Sequence, residues 1–334
     1  MSDLAQVEDR VRRYVVATVQ DRAVLDDMHV GRLRGGQRHA VFRVSVGGPA
    51  ADVVVRLDPG DASWTAVNAE REARVLEYLG GNSAPRLLDF QRDSPLFGGP
   101  VMCLSYADGV ARPLGDLATR EIGQLATVVG GLHARQLLDG DVGYSPGEEV
   151  SFDVNLLRRF NLDVRTRSLG EPTNMDKDVI ARFSRAFSFT WTVVVAALSE
   201  EDWYRPHNRL ALLHGDVGAG NIAWGPLPTL IDWEDWRIGD PAEEIAYIFT
   251  ESDLSHDQQQ AFWDGYHDVN GAEVPAIAGR VSVWAPVTLI GSIAWWLGRY
   301  AACGGRAQPA AQSTVEFEEA ITRLERFERL FFSE

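Results

Sequence analysis

The sequence predicts an α+β fold of two lobes: a small N-terminal lobe with an antiparallel sheet and a helix, and a larger, mainly helical C-terminal lobe. Three observations predict it. The first 106 residues carry five short strand signals, with one helical stretch between the third and the fourth. The later residues place apolar side chains three and four apart, the period of helices. The length, 334 residues, exceeds one ordinary core and suits two domains, here 1–106 and 107–334.

Residues 3–19 read as an amphipathic helix, with Leu4, Val7, Val11, Tyr14 and Val15 in helical period, expected to pack on the first lobe. From Val30 the period becomes two. Gly31–Arg34 leads into Gly35-Gly36-Gln37-Arg38, after which Phe42, Val44 and Val46 alternate with Arg43 and Ser45. Gly47-Gly48-Pro49 turns the chain and Val53–Leu57 returns. A glycine-bearing hairpin lets backbone N–H groups approach phosphates, which makes Gly35 and Gly36 candidate nucleotide contacts. Asp61 or Ser63 caps a helix that runs through Leu79 to Gly80-Gly81 and carries Glu70, Glu72 and Glu77. Strands follow at Arg86–Phe90 and Pro100–Tyr106. The segment Leu104–Gly109 then connects the lobes, and its backbone can meet the edge of an adenine.

In the larger half, Leu117, Ile122, Leu125, Val129 and Leu132 mark a helix ending near His133, and residues 137–176 read as irregular. A helix at 177–198 is followed by Glu200-Glu201-Asp202. Further helices are expected near 254–268, 278–302 and 314–332, the last with Phe317, Ile321, Leu324, Phe327 and Phe331 on one face. Val281–Leu297 is strongly apolar, but Pro286 and Gly291 interrupt it and Arg280 and Arg299 bracket it, so it reads as a core helix rather than a membrane span. Asp240-Pro241-Ala242-Glu243 has the pattern of a helix start, which assigns Asp240 a structural part.

Charge narrows the partners. The chain carries a net charge of −16, with 14 acids and 13 bases in residues 1–106 and 34 acids and 19 bases in 107–334. Nucleic acid is not an expected partner, because its binders need a basic face. A cationic small molecule is, drawn by the acidic half. The N-terminus has no uninterrupted apolar core of a signal peptide, and Cys103 and Cys303 make no disulfide or zinc pattern, so a reducing cytoplasm is expected. No membrane partner is expected, and the oligomeric state is open.

The stretch with most chemistry is Leu212–Asp240, LLHGDVGAGNIAWGPLPTLIDWEDWRIGD. It reads as two short strands, at Leu212-Leu213 and Thr229-Leu230-Ile231, joined by a polar loop. Asp216 is followed five residues later by Asn221 and eleven further on by Asp232. Phosphoryl transfer from a nucleotide needs a carboxylate that takes up or orients a hydroxyl proton, and oxygen ligands for the Mg²⁺ that neutralises the phosphates. A kinase catalytic loop has an Asp and an Asn at this spacing, with a second Asp on the next strand. Such a site also needs a base on the third strand to grip the phosphates and pair with a helix Glu. Lys177 is the only lysine, so that base is Arg56; its partner is Glu72, with Glu70 the second choice. Glu201, Asp202, Glu234 and Asp235 are candidates to meet an ammonium group. Only eight positions separate Asp232 from the helix start at Asp240, too few for the loop on which a protein kinase lays its peptide.

With these residues in place, the chain from about residue 28 to about 300 resembles the aminoglycoside phosphotransferase and choline kinase superfamily, small-molecule kinases with a bilobal protein-kinase-like fold. HGDVGAGN followed by LIDWEDWRIGDPAEEIA carries the likeness, with Val55-Arg56-Leu57, Glu72-Ala73 and Ala84-Pro85-Arg86 in the expected order. The resemblance implies that Asp216 is the catalytic base, that Asn221 and Asp232 bind Mg²⁺, and that Arg56 with Glu72 holds the phosphates of ATP or GTP. The connector Ser105-Tyr106-Ala107-Asp108-Gly109 is similar to that of the aminoglycoside 3′-kinases, which implies that backbone groups of Ser105 and Ala107 hold the adenine. The expected reaction is transfer of a γ-phosphate to a hydroxyl of a small cationic molecule, an aminoglycoside-type antibiotic first. A metabolic kinase for choline, thiamine or a related alcohol is the alternative, and an inactive nucleotide-binding module the alternative of another class.

Overall fold

The computed structural model describes residues 2–19, 28–33, 39–45, 52–58, 63–138, 140–143, 176–199, 210–303 and 310–332. The chain divides into two compact units. The first comprises residues 1–112, 138–144 and 214–236; the second comprises 113–137, 145–213 and 237–334. The boundary expected at 106 therefore falls inside the first unit, which runs on to 112 and takes in the segment 214–236. Backbone hydrogen bonds account for this: Leu230 N–H donates to Ser83 O at 2.9 Å, and Val110 and Trp224 bond each other at 3.1 and 3.4 Å.

The first unit is built on a five-stranded sheet. Helix α1 (Ser2–Val19) precedes β1 (His29–Arg32), β2 (Ala40–Ser45) and β3 (Val53–Leu57); helix α2 (Ser63–Leu79) then leads to β4 (Leu87–Gln91) and β5 (Val101–Ser105). The strand order is β1-β2-β3-β5-β4, antiparallel throughout. Side chains alternate across a strand, and the consequence here is a division of labour between two faces. Phe42 and Val44 of β2 and Val53 and Val55 of β3 join Val11, Tyr14 and Val15 of α1 in one buried core. Each of these apolar side chains contributes roughly 1.5–3 kcal/mol when withdrawn from water. Tyr14 also donates its hydroxyl to Asp89 at 2.8 Å, which holds α1 to β4. Arg56, next to Val55, faces the other way, and Glu72 of α2 meets it there.

The segment expected as two strands joined by a loop has both strands, and each finds its partner elsewhere. The strand before Asp216, β6 (Ala211–Leu213), does not pair with β8 (Pro228–Leu230), the strand before Asp232. β8 closes a local hairpin with β7 (Ile222–Trp224), and β6 pairs with β9 (Arg237–Gly239) in the second unit. The Gly225-Pro226 pair is a turn signal that closes the hairpin locally.

The second unit is helical: α3 (Thr119–His133), α4 (Lys177–Ser199), α5 (Pro241–Glu251), α6 (His256–Asn270), α7 (Val274–Cys303) and α8 (Ala310–Phe331), with β6 and β9. α3 crosses α6 where Gly123 meets Gly265, so closely that a Cβ on Gly265 would strike the Gly123 backbone. α7 packs against α5 and α8, and the three helices bury Ile245, Ile248, Trp284, Ile290, Ile293, Leu324 and Phe327. α4 and the run His256–Ala301 are long and apolar enough to cross a membrane by composition; in α7 the apolar side chains from Val283 to Leu297 pack inside the unit. Asp240 accepts the Ala242 N–H at 3.0 Å as the cap of α5, pairs with Arg280 at 2.7 and 2.8 Å, and accepts the Trp284 indole N–H at 3.0 Å.

Candidate active site

The site is assembled within the first unit. β3 presents Arg56 beneath α2, and helical spacing supplies its partner: Ala69, Glu72, Ala73 and Leu76 form one buried face of α2. Arg56 donates from both terminal nitrogens to the two oxygens of Glu72, at 2.8 and 2.5 Å. Asp58 lies 3.5 Å and Asp232 3.7 Å from the same guanidinium. Burial opposes the charge on Arg56, but Glu72 and Asp58 outweigh it and raise its pKa above the ordinary value. Glu70, the second choice as partner, points off this face and pairs with Arg74 at 2.7 Å and Arg92 at 2.9 Å.

In the turn after β6, Gly215 takes φ 90°, a left-handed conformation that glycine adopts without strain. Around it His214 is fully buried. Its Nε2 donates to Ile231 O at 2.9 Å, and its Nδ1 accepts the Asp216 N–H at 3.3 Å. The imidazole thus ties the loop of Asp216 to the strand end before Asp232. The amide nitrogen of Asn221 donates to Asp216 Oδ2 at 2.7 Å and to Asp216 O at 3.0 Å, and Asn221 O accepts the Ile231 N–H at 2.9 Å. The structure therefore brings Asp216 and Asn221 together and links both to the residue before Asp232.

Asp232 sits at φ 64°, ψ 72°, left-handed and costly for a residue with a side chain. The anchored residues Trp233 and Trp236 hold it there. Trp233 is buried, donates its indole N–H to Leu230 O at 2.8 Å and stands edge-on to His214 at 4.6 Å. Trp236 and Arg71 of α2 clasp each other: the guanidinium donates to Trp236 O and lies 4.6 Å above the indole, whose N–H donates to Arg71 O at 3.1 Å. The Asp232 side chain keeps 39% of its surface open. Packed protein on its other sides and the neighbouring charge of Glu72 still push its carboxyl up to about 6, against the pull of Arg56.

Two residues that the sequence did not single out complete the cluster. His39 precedes β2, Asp58 follows β3, and the register Ala40↔Leu57 sets them side by side. His39 Nδ1 is ion-paired with Asp58, and His39 Nε2 meets Glu234 at 3.2 Å. Burial pulls the imidazole pKa down, but the bonds to Asp58 and Glu234 prevail and raise it to about 9. Glu234, expected to meet a substrate ammonium, is thus ion-paired with His39; Asp235 is exposed. Glu201, Asp202, Gly35 and Gly36 lie outside the described residues.

The connector also has backbone ties. Ser105 N–H donates to Arg86 O at 2.9 Å, Ser105 Oγ accepts the Arg86 N–H at 2.8 Å, and Tyr106 N–H donates to Asp52 O at 3.0 Å. Ala107 makes no backbone hydrogen bond among the described residues. Gly109 passes the β7–β8 hairpin so closely that a Cβ there would stand 2.7 Å from the Trp224 backbone.

Four carboxylates, Asp58, Glu72, Asp232 and Glu234, face two cations, Arg56 and His39. That excess of negative charge, with a carboxylate at Asp232 and an amide oxygen at Asn221, fits a hard divalent cation such as Mg²⁺, which takes oxygen ligands and completes its shell with phosphates and water. Among the described residues no group of three or more His, Cys, Asp or Glu side chains is placed to hold a metal.

Comparison with known proteins identifies the fold and the family. The fold is that of the choline kinase from Cryptosporidium parvum (TM-score 0.65, 16% identity, 92% of this chain and 89% of that one). It is also that of the aminoglycoside 2′-phosphotransferase-IIIa solved with GDP (TM-score 0.63, 16% identity, 98% and 99%). In sequence the chain is 39% identical over 49 residues to the viomycin phosphotransferase of Streptomyces vinaceus, 13% of this chain and 17% of that protein. The chain spans less than a fifth of the length of the curated relatives it matches, 17% and 18%. The model of the phosphotransferase enzyme family, APH, matches residues 29–279, a stretch that runs from β1 through the Arg56–Glu72 pair and the Asp216–Asp232 segment into α7, and the chain belongs to that family.

Proposed function

We propose that this small-molecule kinase moves the γ-phosphate of ATP or GTP to a hydroxyl of a small cationic molecule, with an aminoglycoside-type antibiotic as the first candidate. The observation that carries the reading is the grip of Asn221 on Asp216, 2.7 Å to the carboxylate and 3.0 Å to the backbone. It fixes the carboxylate that takes up or orients the hydroxyl proton as the acceptor oxygen attacks the γ-phosphorus. Arg56, oriented by Glu72, sets the positive end of the phosphate site. Gly35 and Gly36 are proposed as phosphate contacts from their sequence, and backbone groups of Ser105 and Ala107 as contacts of the adenine. Asp232 and Asn221 would hold Mg²⁺, which supplies neutralisation of the phosphate charge.

The acceptor is read as a cation because residues 107–334 carry 34 acids against 19 bases. Asp235, Glu201 and Asp202 are the acids proposed to meet it. The sequence likeness to a viomycin phosphotransferase favours an antibiotic, while choline, thiamine and related alcohols keep the metabolic alternative in view. A cytoplasmic location accords with the free, buried Cys103.

The test is release of ADP or GDP with aminoglycosides, macrolides, viomycin, choline, ethanolamine and thiamine as acceptors. Turnover with the antibiotics is expected; turnover confined to the metabolic alcohols rejects the resistance reading. Nucleotide binding without acceptor-dependent release identifies an inactive module. Asp216→Ala should lower kcat by roughly 10²–10⁴-fold while MgATP still binds. Near wild-type turnover in that variant would remove Asp216 from the chemistry.

A further inference from the structure

We propose that His39 is a positioning residue for phosphoryl transfer: by tying Glu234 to Asp58 it holds the turn after Asp232 against the end of the first hairpin, and so fixes Asp232 for the metal–nucleotide complex. The inference rests on the kinase reading above.

Three observations carry it. First, the position is built by the sheet. The Ala40↔Leu57 register sets His39 across from Asp58, and two-residue periodicity puts Asp58 on the face of Arg56. Asp58 is 2% exposed in its side chain and His39 12%, so the pair is enclosed. Second, Glu234 reaches this pair from 195 positions along the chain, out of the short turn Trp233–Asp235 directly after Asp232. Third, Asp232 has a left-handed backbone, φ 64°, a region less favourable than the extended or helical ones even for an aspartate, so the contacts around it help to hold it. Trp233 is pinned to Leu230, Trp236 to Arg71 of α2, and Glu234 to His39 at the sheet. Releasing the His39 link frees the centre of that turn and lets the Asp232 carboxylate drift.

His39 acts through another residue and is not itself a phosphate ligand. Both ring nitrogens face carboxylates, Asp58 at Nδ1 and Glu234 at Nε2, so the imidazole is directed at the two acids rather than at a phosphate oxygen. The same bond turns the Glu234 carboxylate toward the sheet, so the ammonium of an acceptor has to find another anion.

The experiment uses the full chain with His39→Gln, Glu234→Gln and both together. Affinity for ATP and GTP is measured by calorimetry with Mg²⁺ and again in EDTA. The single substitutions should each weaken the Mg²⁺–nucleotide complex by roughly tenfold, the scale of one charge-assisted hydrogen bond. Affinity in EDTA should stay near wild type, because the loss passes through Asp232 and the metal. The double variant should be no weaker than the worse single, as for two ends of one link. Equal losses with and without Mg²⁺, additive losses, or unchanged affinity in a folded His39→Gln protein each overturn the inference. If His39→Gln does not fold, Glu234→Gln cuts the same link, and unchanged Mg²⁺–nucleotide affinity there overturns it equally. A wild-type chain that binds neither nucleotide refutes the kinase reading first and the inference with it; binding by the wild type with no effect of the variants refutes the inference alone.

Discussion

Replacing Glu72 by Gln isolates the pair at the centre of the nucleotide site. The change keeps the side-chain volume but removes the negative charge and turns one acceptor of the bidentate bond into a donor that faces Arg56. Both partners are enclosed, with side chains 7% and 2% exposed. Breaking such a buried pair from one side typically costs about 3–5 kcal/mol, because the remaining charge is left uncompensated. Two features of the site reduce that cost. Asp58 at 3.5 Å and Asp232 at 3.7 Å still face the guanidinium, and the loss of Glu72 relieves the pressure its charge puts on Asp232. The expected loss is therefore about 2–3 kcal/mol. The control is Glu70→Gln on the same helix. Its partners Arg74 and Arg92 are 63% and 51% exposed, and such pairs contribute about 0–1 kcal/mol. Urea unfolding of the two variants, monitored by the spectrum of the buried tryptophans, measures the difference, and KM for the nucleotide should rise in Glu72→Gln alone as Arg56 turns toward Asp232. Equal destabilisation by the two substitutions, or an unchanged KM in Glu72→Gln, refutes the assignment of Glu72 as the partner that sets Arg56.

The pH dependence of stability gives opposite signs at two neighbouring groups. His39, raised from 6.5 to about 9, contributes stability that is complete below pH 6.5 and lost as pH rises through 9; His39→Gln should therefore cost up to about 3 kcal/mol near pH 6 and close on wild type above pH 9 in pH-resolved urea melts. Asp232, raised from 3.8 to about 6, destabilises the fold when ionised, so Asp232→Asn should stabilise above pH 6, with the gain vanishing as pH falls toward 4. The two-unit rise caps that gain at about 3 kcal/mol, and with 39% of the side chain open to solvent roughly 1 kcal/mol is expected, alongside loss of turnover. Asp240→Ala strands the buried Arg280 and removes the cap of α5, for an expected loss of about 3–5 kcal/mol in the same melts; a loss below 1 kcal/mol would show that Asp240 does not hold α5 to α7.

The sheet was legible because its strands alternate with period two and glycine or proline punctuates each turn. α2 was legible in more detail than its length alone allows. Glu72 falls in step with Ala69, Ala73 and Leu76, the buried positions, while Glu70 lies off that face with Arg74 one turn on. The apolar pattern of the helix therefore already separates the two glutamates. The short strands β7 and β9 were not legible. Each has three residues, below the length at which alternation rises above chance, and their pairing is decided by turns and by partners far along the chain. As a result, the strand before Asp216 and the strand before Asp232 read as two strands joined by a loop, without the partners that each has, β9 and β7.

The same limit explains what was seen and missed in the site. Asp216, Asn221 and Asp232 stand within seventeen residues, and their spacing is a local property of the chain. The clasp of Arg71 on Trp236 and the link of His39 to Glu234 join residues 165 and 195 positions apart, and no local period encodes such a pairing. One signal lies nearer: His39 and Asp58 flank the two strands of the first hairpin, and the Ala40↔Leu57 register sets them side by side on the face of Arg56. Glu234 has no such signal, because its direction depends on the left-handed backbone of Asp232. An aspartate visits that conformation more readily than most residues with a side chain, but the surroundings still decide whether it is kept. The residues that keep it, Trp233, Glu234 and Trp236, come directly after Asp232, so the run from Asp232 to Trp236 works as one unit: a carboxylate together with the three anchors that keep it aimed.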